Sequence, residues 1–210
     1  MMDNQTKNGK ELLFSVLRHE RTTTVPWVPF AGVHAGLLKG YNARDILLDK
    51  AKLVESLLEV HKVYDPDGMP VLFDLQVEAE ILGCNLLWAD EAPPSVASHP
   101  FAVEKKIPTI IPQPGDGRLP MILDVMRTMK EKVGENTALY GLVTGPFTLA
   151  SHLRGTDIFI DSIEDPDYLI ELVSYTKKVA IAIAKYYIDT GMDIIAIVDP
   201  LISQISPRMF

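Results

Sequence analysis

Short apolar runs that alternate with helix-patterned segments constrain this 210-residue chain more than any other feature. VPWVPFA at 25–31 reads as a strand, although its prolines make it an imperfect one. MPVLFD at 69–74 and ALYGLV at 138–143 read as the second and third strands. MDIIAIVDP at 192–200 reads as the fourth, apolar enough to be buried on both faces. Between them the spacing predicts helices. One runs from an Asn42 cap to about Tyr64, with Leu47, Ala51, Val54 and Leu58 on one side. A turn at DPDG, 65–68, separates it from the second strand. Others span 75–82 and 119–133, the latter with Ile122, Leu123, Val125, Met126 and Met129 as its apolar side and Gly134 as its stop. TGPFTLASHL leads from the third strand into another helix. The longest helix opens at Asp165-Pro166 and closes at Gly191, with Leu169, Val173, Ala180, Ala184 and Tyr187 on one face. A short helix at 10–19 precedes the series.

Strand and helix in alternation specify parallel strands joined by crossover helices. An open doubly wound sheet and a (β/α)8 barrel both satisfy that pattern. No glycine-rich phosphate loop follows any strand, which disfavours the open sheet. Polar residues instead stand just past the strands: His34, Asp74, Thr144 and Asp199. In a barrel these share one mouth, where active sites are built. The excursion at 84–118 holds two further strand-like pieces, CNLLW and VEKKIPTII, around a proline-bearing tip, APPSVASHP. It reads as a hairpin or extended flap.

Four strands cannot close a barrel of eight, and such barrels usually take about 250 residues. Ser206-Pro207 also has the form of a helix start. The expectation is that residues 1–210 form the N-terminal half of a longer barrel, with unpaired strand edges. Such a half is expected to be catalytically inactive alone.

Composition removes several classes of function. Lys and Arg number 20 against 28 Asp and Glu, a net charge of −8, which is unsuited to nucleic-acid binding. No apolar run is long enough for a transmembrane helix, and MMDNQTKNGK is no secretory signal. The single cysteine, Cys84, forms no internal disulfide and fits a reducing compartment, so a cytoplasmic location is expected.

Four stretches carry a resemblance to a known family: VPWVPFAGVHAG, LFDLQVEAEILG at 72–83, GLVTGPFTLASHL at 141–153 and VDPLISQISPRMF at 198–210. In their order and spacing the chain resembles the uroporphyrinogen decarboxylase superfamily, which includes cobalamin-dependent methyltransferases. The resemblance implies a (β/α)8 barrel. It also separates two chemistries. A decarboxylase grips the carboxylates of its porphyrin precursor with arginines in a motif of the type R-Q-A-G-R. The matching Val33-His34-Ala35-Gly36-Leu37 keeps the Ala-Gly but has apolar residues at both arginine positions. Bidentate carboxylate recognition is then lost. The decarboxylase tyrosine position falls near His152, and Asp74 matches its central acid.

Asp199-Pro200 and Ser206-Pro207-Arg208-Met209-Phe210 resemble the methyltransferase branch instead. That branch implies methyl transfer between a corrinoid, free or on a partner protein, and a thiol or similar acceptor. It also implies zinc held by a His-x-Cys pair and a later Cys, so any zinc ligands are expected beyond Phe210. Porphyrinogen decarboxylation and non-catalytic corrinoid or porphyrin binding are the alternatives. A homodimer is a further expectation.

The candidate catalytic residue is Asp74, whose plain alternative is capping helix 75–82. Candidate substrate-binding residues are His34, Glu78, Thr144, His152 and Asp199. Glu78 is one turn from Asp74, whereas Glu80 is expected to be solvated. His34 lies between glycines, and its alternative is a surface histidine. Asp199 either caps the following helix or lines the cavity. The helix after Thr144 could receive an anionic group at its N-terminus. Cys84 is expected to be a small buried apolar residue.

Overall fold

The computed structural model describes residues 8–207. Helix α1, Gly9–Leu17, starts at a capping box in which Asn8 accepts from the Glu11 amide. The 25–31 segment forms no strand. Pro26 and Pro29 remove two ladder donors, and the chain is pinned elsewhere: Asp67 N–H donates to the Trp27 carbonyl and Trp27 N–H to Asp67 Oδ2. Helix α2 is short, His34–Leu37.

The expected 42–64 helix is two helices, α3 at Ala43–Leu48 and α4 at Lys50–Tyr64. Asn42 caps α3 as expected. Asp49 then leaves the helical region and caps α4 through the Lys52 amide. The break rotates the buried side, so Leu53, Ser56, Leu57 and Val60 face the core and Ala51 faces solvent.

Strand β1, Gly68–Pro70, is shorter than the expected 69–74, and the Val71 N–H makes the last backbone hydrogen bond to β4, at the Tyr140 carbonyl. Helix α5 covers Val77–Ile81. Strands β2, Leu86–Leu87, and β3, Ser95–Val96, make a small antiparallel pair. The partner of Leu86 is thus Val96, in the expected tip, and 103–111 forms no strand. That segment is strapped along the longest helix by tyrosine hydroxyls. Tyr175 donates to the Ile110 carbonyl at 2.6 Å and Tyr186 to the Pro112 carbonyl at 3.0 Å.

Helix α6, Leu119–Val133, has the expected limits, and all five of its expected apolar residues are buried. Strand β4 is Ala138–Thr144, and α7, Pro146–Arg154, follows it directly. A helix with no sequence-based expectation, α8, spans Ile158–Glu164. Helix α9, Pro166–Asp189, is capped by Asp165. Its buried side is Tyr168, Leu172, Tyr175, Thr176, Val179, Ala180, Ile183 and Tyr187, so Leu169, Val173 and Ala184 lie on its flank. Strand β5 is Ile194–Val198. A 3-10 turn covers Pro200–Gln204, and a helix beginning at Ser206-Pro207 would lie largely outside the described residues.

Strands β1, β4 and β5 form a parallel sheet in the order β1-β4-β5, with Tyr140 opposite Met69's neighbour Pro70 on one side and Ile194 on the other. Burial of β5 on both faces is not observed. None of its residues is fully buried, and Ile197 is 53% exposed. Among the described residues only β4 pairs with it. No helix among the described residues is long and apolar enough to cross a membrane.

Candidate functional site

Parallel strands bring their C-terminal ends together, so residues distant in sequence share one mouth. Asp74 stands just past β1, its side chain fully buried. One carboxylate oxygen accepts from the Gln76 amide at 2.9 Å, and the other from Arg118 Nη1 at 2.7 Å.

Arg118 immediately precedes α6 and was not legible as a site residue. Its neighbour Gly117 has φ +51°, and a Cβ there would press to 2.8 Å from Ile81, so the turn that aims Arg118 needs glycine. Arg118 Nε donates to Glu80 Oε2 at 2.7 Å, and the guanidinium lies over the Trp88 ring at 5.0 Å. Glu80 is therefore not merely solvated. Burial works against the Arg118 charge, but Asp74 and Glu80 outweigh it and hold the guanidinium above its ordinary value.

Behind Asp74, Glu78 on α5 is buried to 1% exposure. Its Oε1 accepts from the Thr144 amide at 3.1 Å, and its Oε2 lies 2.7 Å from the Thr144 hydroxyl. The same hydroxyl is 2.9 Å from the Leu75 carbonyl. Burial pushes the Glu78 carboxyl above the usual carboxylate range.

His152 lies on α7, partly buried. Burial and the neighbouring His99 push its imidazole down to about 4, against the opposing pull of Asp199 and Asp74. It is neutral at physiological pH, and its buried Nδ1 has no protein partner. Such a ring can hydrogen-bond a ligand but supplies no positive charge.

Asp199 does not cap the turn that follows it; it lines a cavity with Pro146, Phe147 and Ile202, and its carboxylate is fully engaged there. Its oxygens accept from the amides of Phe147 and Thr148, at 3.0 and 2.8 Å, and from the Thr148 hydroxyl at 2.6 Å. It caps α7 from the neighbouring strand. The helix N-terminus that could have received an anionic group is thus already filled by an aspartate. Gly145 permits this approach, since a Cβ there would overlap the Cβ and Cγ of Asp199.

The structure therefore gathers Asp74, Glu78, Thr144, His152 and Asp199 at one end of the sheet. His34 stands apart. Its exposed ring is 2.7 Å from the Tyr64 hydroxyl, at the last residue of α4. Arg118 reaches the Leu47 carbonyl just before the other end of that helix. The 15 residues of α4 span about 22 Å.

Among the described residues, no three His, Cys, Asp or Glu side chains are grouped to hold a metal. Cys84 is buried, its thiol donates to the His152 carbonyl at 3.3 Å, and burial pushes it up to about 12. These residues do not fit a thiolate zinc site. Cys84 should react with a thiol-directed reagent about a thousandfold more slowly in the native chain than after denaturation. Equal native and denatured rates would show an accessible thiolate.

With this geometry in view, the sequence matches the family described as uroporphyrinogen decarboxylase (URO-D) over residues 8–210. The chain belongs to the uroporphyrinogen decarboxylase family. Family relatives carry two kinds of name. The methylcobamide:CoM methyltransferase MtbA of Methanosarcina acetivorans is 29% identical over 202 residues, covering 92% of this chain and 59% of the relative. MtaA of Methanosarcina barkeri, a methyltransferase of the same description, is 32% identical over 158 residues, covering 70% of this chain and 46% of its own. The uroporphyrinogen decarboxylase of Nostoc punctiforme is 25% identical over 162 residues, with coverage of 74% and 46%. A solved methyltransferase from Methanosarcina mazei superposes with a TM-score of 0.88 at 25% identity, covering 97% of this chain and 63% of that one. The fold is thus that of the (β/α)8 barrel, of which this chain carries part. The chain spans 59% of the length of the MtbA relative.

Proposed function

We propose that the protein takes part in moving a methyl group between a corrinoid and a thiol or similar acceptor, as the names of the methyltransferase relatives suggest. The observation that carries this reading is that, among the described residues, the cation at the mouth is already engaged by carboxylates. Arg118 is committed to Asp74 and Glu80, and Asp199 adds further negative charge. His152 is neutral, and α2 offers Val33 and Leu37 where a decarboxylase would place arginines. A porphyrinogen with eight carboxylates would meet net repulsion here. A corrinoid, whose ring edge carries uncharged amides, would not.

In this reading Asp74 acts from within the wall, where its carboxylate holds Arg118 and the Gln76 amide in place. His152 and Thr144 complete the wall of the site, and Asp199 fixes α7 so that His152 is held in place. Glu78 supports the wall from behind. His34 would contribute only to a ligand reaching beyond α2. The zinc of this branch would require ligands other than the described residues, and no step is assigned to it. A corrinoid protein or free methylcobamide is the proposed partner, in the cytoplasm.

Equilibrium dialysis of the full-length gene product against methylcobalamin and against uroporphyrin tests the reading. Retention of methylcobalamin at least tenfold tighter than of the porphyrin is expected. The reverse order would favour the decarboxylase reading.

A further inference from the structure

The contacts between Glu78 and Thr144 pose a question of proton number. The Thr144 hydroxyl owns one hydrogen but lies 2.7 Å from Glu78 Oε2 and 2.9 Å from the Leu75 carbonyl. The carbonyl can only accept. If Glu78 were ionised, two acceptors would compete for that single hydrogen. One oxygen pair would then face each other at hydrogen-bond distance with no proton between them, in a site from which water is excluded.

We infer that Glu78 is a resident neutral carboxylic acid whose proton locks the turn carrying Asp74 to the end of β4. With the proton on Oε2, that oxygen donates to the Thr144 hydroxyl, which donates to the Leu75 carbonyl. The Thr144 amide donates to Oε1. Every donor and acceptor is then used. Glu78 is in this sense a positioning residue. It touches no reacting atom and acts through Thr144 and Leu75 on the segment that presents Asp74.

The surrounding charges agree. Asp74 stands on the preceding turn, Glu80 on the same helix, and Tyr187 packs in from α9, fully buried. Arg118, the nearby cation, already bridges Asp74 and Glu80. Among the described residues no cation donates to Glu78, whose partners are the Thr144 amide and hydroxyl and its own backbone N–H. Burial raises its proton affinity most and the Asp74 charge adds to this, against the opposing pull of the Thr144 hydroxyl and the Glu78 and Thr144 N–H groups.

The direction of the pH effect follows. In the unfolded chain Glu78 ionises above about 4.5, whereas in the fold burial raises its carboxyl above that value. Its contribution to stability is full below that value and is lost as pH rises toward and through the folded-state value. Infrared difference spectroscopy of wild type against Glu78→Gln at neutral pH tests the assignment. The expected difference is the carbonyl stretch of one un-ionised carboxylic acid, present in wild type and absent from the variant. The glutamine amide can donate to Thr144 and accept from its N–H, so Glu78→Gln should fold. Its stability relative to wild type should rise steadily with pH above about 4.5. Absence of the band, a stability difference independent of pH, or a Glu78→Gln chain that does not fold would each overturn the inference.

Discussion

Replacing Arg118 by methionine is expected to destabilise the chain by about 3–5 kcal/mol, the range for removing one partner of a buried ion pair. Asp74 has no exposed side-chain surface, and only the Gln76 amide would remain to it. Glu80 would lose its partner as well, and Trp88 the cation over its ring. Methionine keeps much of the stem volume, so the loss reports charge rather than a cavity. In a chain of this size each kcal/mol lowers the midpoint by roughly 2–4 °C, which puts the total on the order of 10 °C. Arg118→Lys should recover only part of this, because one ammonium cannot reproduce the planar fork to Asp74 and Glu80. Adding Asp74→Asn to Arg118→Met should recover more, since the stranded charge is gone. A midpoint for Arg118→Met within 2 °C of wild type would show that the buried pair is not formed.

The second large effect is expected at Gly145. Alanine there would drive its Cβ into Asp199, at a backbone conformation that itself accepts any residue. Either β5 separates from β4 or Asp199 leaves the α7 N-terminus. Overpacking costs about 1–3 kcal/mol, and loss of the cap adds about 0.5–2 kcal/mol. The two terms share one cause, so they should not be additive with removal of the aspartate. In denaturation experiments Asp199→Ala alone should show only the cap loss. The double variant Gly145→Ala, Asp199→Gly should be more stable than Gly145→Ala alone, because only glycine at 199 removes the Cβ that the new methyl would meet. Simple additivity of the two changes would contradict this steric coupling.

What the sequence made legible was local. Helix α6 and the Asp165-Pro166 to Gly191 limits of α9 follow from periodicity and capping, which act over a few residues. The alternation of elements carried the parallel sheet and the barrel class. The failures came where long-range contacts decide. Prolines interrupt 25–31, and at the end of 103–111 tyrosines on α9 hold the carbonyls of Ile110 and Pro112. Asp49 divided one expected helix into two because its side chain could begin a new one.

Asp74, Thr144 and Asp199, past the three parallel strands, were legible from their order alone, whereas His34 follows a segment that forms no strand. Their partners were not: Arg118 meets Asp74 across 44 positions, and Asp199 meets Thr148 across 51. The only local clue to Arg118 was a lone basic residue after Asp116-Gly117, at the start of an apolar helix.

Methyl transfer is the central claim, and it is tested most directly by turnover. The full-length gene product, supplied with methylcobalamin and CoM thiol, should demethylate the corrinoid and methylate the thiol. Uroporphyrinogen under the same conditions should release no carbon dioxide. Carbon dioxide release from uroporphyrinogen, with methylcobalamin left intact in the presence of thiol, would contradict it.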